Sequence, residues 1–95
     1  MESLVEARLN AVIAKPMDEI RMLPDFTTEE TAFEGRAVKL TTYHEILEGD
    51  VHRLIVQATR PAWRGMINEV IAEGYEVSGA GTLRRLKPEE LYTYT

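Results

Sequence analysis

The sequence predicts an α+β domain: an N-terminal helical arm, then a ββαβ core with a small mixed three-stranded sheet. Three observations predict it. Residues 37–47 and 51–59 are rich in Val, Ile, Leu, Thr and Tyr and are split by Glu48-Gly49-Asp50, which is hairpin chemistry. Residues 61–73 carry apolar side chains at helical spacing. Gly74 then punctuates the chain before residues 75–86, a β-rich return. The 95 residues make one domain, divided into an arm (1–23), an acidic linker (24–35) and a core with its tail (36–95).

The arm opens with an amphipathic helix over residues 2–15. Ser3 is placed to cap it, with Glu6 three residues on as in a capping box. Val5, Leu9, Val12 and Ile13 form its apolar stripe. Pro16 is costly inside a helix but suits a first turn, so a second short helix runs from Pro16 to Leu23. Residues 24–35 have the composition of a linker, with one helical turn starting at Thr28-Glu29-Glu30 and Phe26 and Phe33 as anchors.

The hairpin register follows from the pattern. With Glu48, Gly49 and Asp50 as the loop, Leu47 lies opposite Val51, Ile46 opposite His52, His44 opposite Leu54, Thr42 opposite Val56 and Leu40 opposite Ala58. That face is largely apolar on both strands, as a core face should be, and a one-residue slip would set it against Arg53 and Gln57. The other face pairs Glu45 with Arg53 and sets Tyr43 opposite Ile55 beside Leu47 and Val51. Its apolar band needs cover from the N-terminal segment or from another chain.

Pro61 opens the helix of the ββαβ core, with Ala62, Trp63, Met66, Ile67, Val70 and Ile71 facing the hairpin. Gly74 stops it in a left-handed cap. The strand at 75–86 is interrupted by Gly79-Ala80-Gly81, the mark of a bulge or a close backbone approach. Residues 87–91 form a short helical turn with Pro88 at its start, and the alternating Tyr92-Thr93-Tyr94-Thr95 has strand character.

The chemistry is sparse. His44 and His52 are diagonal neighbours on the apolar face, where a metal or a general base could be built, but that face carries no carboxylate. Satisfied core histidines are the better reading; if both are buried and neutral, acid destabilises the fold. A metal-assisted nuclease would need an acidic-x-Lys pair where Gln57-Ala58-Thr59 stands. Gly79-x-Gly81-Thr82 lacks the Lys and the helix start of a phosphate loop. The two serines, Ser3 and Ser78, sit in no nucleophile motif. With no Cys there is neither a disulfide nor a thiolate site. No cofactor and no metal are expected.

A net charge of −5 argues against broad contact with nucleic-acid phosphates, and no apolar run is long enough to span a membrane. A cytoplasmic location is the default. The expected function is a non-enzymatic protein-interaction module that self-associates through Tyr43, Leu47, Val51 and Ile55 on the sheet and Leu9 and Ile13 on the first helix. One alternative is an acidic inhibitor or antitoxin-like partner of a nucleic-acid enzyme. It would set Glu29, Glu30, Glu34, Glu45, Glu48 and Asp50 against a partner's basic surface. A second alternative is a small hydrolase using His44 and His52, which requires both rings to be solvent-accessible.

Overall fold

The computed structural model describes residues 1–62 and 67–95. Its elements are α1 (Glu2–Ile13), α2 (Met17–Arg21), β1 (Phe26–Phe33), β2 (Arg36–Leu47), β3 (Val51–Ala62), β4 (Ile67–Ser78), β5 (Leu83–Arg85) and a 3₁₀ segment, Pro88–Tyr94. The strands form one antiparallel sheet in chain order, β1-β2-β3-β4-β5. This overturns the expected fold of a ββαβ core with a small mixed three-stranded sheet. Among the described residues every strand pair is antiparallel, and the segment expected as the core helix supplies the end of β3 and most of β4. Trp63, Arg64 and Met66 lie outside the described residues.

The reason is visible in β4. Val70 and Ile71 looked like neighbours on one helical face. In the strand they point to opposite faces of a sheet that is covered on both sides. Such a strand needs apolar residues on both faces, so its sequence loses the period of two that marks a half-exposed strand. Gly74 does not cap a helix. It sits mid-strand opposite Ile55, where a Cβ would come within 2.8 Å of the Leu54 carbonyl oxygen and 2.7 Å of a Leu86 methyl.

Residues 24–35 hold β1 rather than a linker. Glu34 and Gly35 both take positive φ, 53° and 76°, and close a two-residue turn that sets Phe33 opposite Arg36. Such turns match the strand twist because both central residues are left-handed, and Gly supplies one of them without cost. The β2–β3 register is the expected one throughout, from Leu47 opposite Val51 to Lys39 opposite Thr59, with Gly49 and Asp50 at positive φ in the turn.

The two ends of the chain cover the two faces. On one face α1 lays Val5 and Leu9 against Val38, Leu40, Val56 and Ala58. Further along that face Val12 and Ile20 meet Leu54 and Val77. The stripe read from the sequence is therefore buried, although the helix starts at Glu2 and no Ser3 cap bond forms. On the other face Leu86 and Leu91 cover Ile55 and Ala72, and Tyr94 packs on Tyr43 with ring centroids 5.0 Å apart. The cover expected from the N-terminal segment or a second chain comes instead from the C-terminal segment. Its last residues form the 3₁₀ turn, where strand character was expected. Among the described residues no helix is long and apolar enough to cross a membrane.

Candidate functional site

The densest chemistry lies where α2, β2, β3 and the β2–β3 turn meet. Alternation on β2 and β3 sends His44 and His52 to the same face, as expected. They are 6% and 2% exposed. His44 Nδ1 lies 3.0 Å from the Leu23 carbonyl oxygen, and His44 Nε2 lies 2.8 Å from His52 Nδ1. The two ring planes lie within 17° of parallel, with centroids 5.0 Å apart. His52 Nε2 then meets Asp50 Oδ1 at 2.7 Å. Arg21 Nη2 donates to Asp50 Oδ2 at 2.7 Å, and Arg21 Nη1 reaches Asp18 at 3.3 Å. One unbroken chain of polar contacts thus runs from the α2–β1 junction, through two buried rings, to the surface.

Sequence reasoning placed the rings together and missed their partners. The carboxylate held to be absent from this face arrives from the turn, because Asp50 at φ 57° turns its side chain toward His52. The packing there is close: a Cβ on Gly79 would stand 2.1 Å from Asp50 Oδ2. Arg21 could be foreseen only by folding α2 back over the turn. The Arg21 guanidinium, and after it His52, hold the Asp50 carboxyl down at about 2.

The arrangement limits what the pair can do. Two imidazole nitrogens sharing a tetrahedral metal sit roughly 3.3 Å apart with the ion between them. Here they face each other at hydrogen-bond distance. Among the described residues no group of three or more His, Cys, Asp or Glu is placed to hold a metal ion. The hydrolase reading needed accessible rings, and both are buried.

The residues expected at a contact surface are dispersed. Leu9 and Ile55 are both 0% exposed, Leu9 under the sheet's first face and Ile55 beneath the C-terminal segment. Ile13 is half-buried between the two clusters on the helix side, Tyr43 is half-buried by Tyr94, and Leu47 and Val51 are half-exposed at the turn end. The six carboxylates of the acidic reading do not share one surface. Glu29, Glu30 and Glu34 belong to β1 and its turn, while Glu45, Glu48 and Asp50 lie at the far end of β2. Glu29 and Glu30 lie opposite Leu40 and Lys39, so about 16 Å or more of β2 separates them from Glu45. Arg53 lies opposite Glu45 as expected, and its Nη2 also donates to Glu76 on β4 at 2.8 Å.

A different feature stands open. β1 forms one edge of the sheet, and six of its eight residues are exposed, with Phe26 at 64%. The His44 N–H donates to the Asp25 carbonyl at 2.8 Å. Antiparallel ladders alternate, so residues 27, 29, 31 and 33 face β2 in the same way. The N–H and C=O groups of Phe26, Thr28, Glu30 and Ala32 therefore point away from the sheet. The opposite edge, β5, is three residues long. Residues 24–35 contain four carboxylates and no Lys or Arg. Comparison of the chain with family models, with curated proteins and with solved structures gives no match.

Proposed function

We propose that this chain is a small non-enzymatic protein-interaction module, cytoplasmic, that takes an extended basic segment of a partner as a sixth strand on the β1 edge. The observation that carries the reading is the eight-residue free edge with four outward-facing backbone positions. Strand addition to such an edge draws affinity from main-chain hydrogen bonds and specificity from alternate side chains. Charge favours an unlike partner. Glu29 is already paired with Arg8, but a second copy laid on this edge would still bring six further carboxylates together, whereas a Lys- or Arg-bearing strand meets Asp25, Glu30 and Glu34 with complementary sign. Self-association would then have to use another surface, such as the turn end at Leu47 and Val51.

The test is a titration of isotope-labelled protein with two ten-residue peptides, one alternating Val or Thr with Lys and one alternating them with Glu. The basic peptide is expected to shift the Phe26, Thr28, Glu30 and Ala32 amides, and its affinity to fall steeply with salt. Thr28→Pro removes an outward donor and leaves the backbone ladder to β2 intact, losing only the Thr28–Thr41 hydroxyl bond, so the variant stays folded and loses binding. Shifts on another surface, equal response to both peptides, or undiminished binding by Thr28→Pro would sink the proposal. Light scattering across a concentration series decides separately whether the chain self-associates.

A further inference from the structure

The chain of contacts through the histidine pair can be counted in protons. It is bounded by two acceptors: the Leu23 carbonyl at one end and the Asp50 carboxylate at the other. Between them lie three contacts of hydrogen-bond length, at 3.0, 2.8 and 2.7 Å. Each needs one proton. Two neutral imidazoles supply two. With only two, one contact sets lone pair against lone pair inside a site where both rings are all but buried.

We infer that His44 and His52 hold a third proton between them, and that this shared proton latches the α2–β1 junction to the hairpin. The extra charge sits on the rings rather than on the carboxyl, because Arg21 keeps Asp50 ionised. The local charges then balance. The pair and Arg21 are cationic, while Asp50 and Asp18 are anionic. Beside the pair, Leu54 lies opposite His44 and Val77 opposite His52, and Val12 of α1 and Ile20 of α2 pack with those two residues; Tyr75 lies opposite Leu54 on the next strand. Removing the third proton leaves one bond unmade, and the Leu23 carbonyl and the rings can no longer both be satisfied. The junction it releases leads into β1, whose ladder begins with the His44 N–H donating to Asp25.

The sign of the effect separates this inference from its rival. If the folded chain keeps a proton that the unfolded chain gives up, unfolding releases a proton and stability falls as pH rises. A buried neutral pair would do the reverse and lose stability on acidification. The inference is independent of partner binding at β1 and stands or falls on its own experiment.

That experiment is nitrogen–proton correlation of the imidazoles in the full-length chain, followed over pH. Three ring N–H protons shared by His44 and His52 are expected at neutral pH. The Leu23 to Phe26 amides, Pro24 aside, should move in step with loss of the third as pH is raised. Asp50→Asn, a change at a partly exposed position, keeps an acceptor but removes the counter-charge. It should move that loss downward by one pH unit or more, with the amide spectrum confirming a folded chain. Two ring protons at neutral pH, or junction amides that stay still while the rings titrate, would overturn the inference.

Discussion

Gly74 has no room for a side chain. It is flanked at once by a backbone oxygen, a Leu86 methyl and Ile55 Cγ1, all within 2.9 Å of a built Cβ. A methyl can push aside the tip of Leu86, but the Leu54 carbonyl belongs to the ladder and cannot move alone. Gly74→Ala is therefore expected to destabilise by about 1–3 kcal/mol, the usual cost of overpacking. Urea unfolding followed by circular dichroism measures it, and a change within about 0.5 kcal/mol of native would show that the strands spread freely there. The sequence marks Gly74 as a special position but not the reason. A glycine after a run of apolar residues reads as a helix stop when only local spacing is available. Its real constraint comes from Leu54 and Leu86, which are distant in sequence. Asp50 illustrates the same limit. Its place in a turn was legible, whereas its aim at His52 depends on a backbone φ that three letters do not encode.

At the scale of elements, the hairpin was legible to the residue because its loop is short and one face is apolar on both strands. β1 was not. Its residues are exposed on both sides, so it shows no alternation, and Thr28-Glu29-Glu30 imitates a helix start. The α1 stripe was legible in position, while its target was not, since periodicity names a buried face without naming what buries it. The structure assigns that target, and a pair of substitutions tests it. Leu9→Ala opens a cavity against Val38, Leu40, Val56 and Ala58 and should cost about 2–5 kcal/mol. Ile55→Glu places a charge beneath Leu86 and Leu91 and should unfold the domain rather than dissociate an assembly. Thermal unfolding reads both. A folded, stable Ile55→Glu chain would mean that the C-terminal segment does not seal that face.

For the whole molecule, ion pairs tie the covering ends to the sheet. Arg84 clamps Glu90 of the 3₁₀ segment with bonds of 2.9 and 2.7 Å and reaches Glu76 on β4. Arg85 joins Glu6 of α1 to Glu73 and Tyr75 of β4. The Arg84 guanidinium, followed by the Lys87 backbone N–H, holds the Glu90 carboxyl at about 2. Asp50 is held equally low by Arg21 and His52. Both values are depressed on folding, so the stability they confer is complete above the ordinary carboxyl range and is lost as pH falls from about 4.5 toward 2. The urea midpoint should decline across that window, and less steeply in Glu90→Gln. Equal slopes for the two proteins would show that the Arg84 clamp is screened away in solution.

The order of the strands has a mechanical consequence. Every strand pairs only with its neighbours in the chain, and β1 and β5 lie at opposite edges of the sheet. A pull applied to the two ends runs across the strands rather than along them. It loads the ladder hydrogen bonds one at a time. Once the covering end segments detach, the sheet should therefore peel open under low force, starting at the three-residue β5, instead of resisting as sheared strands do.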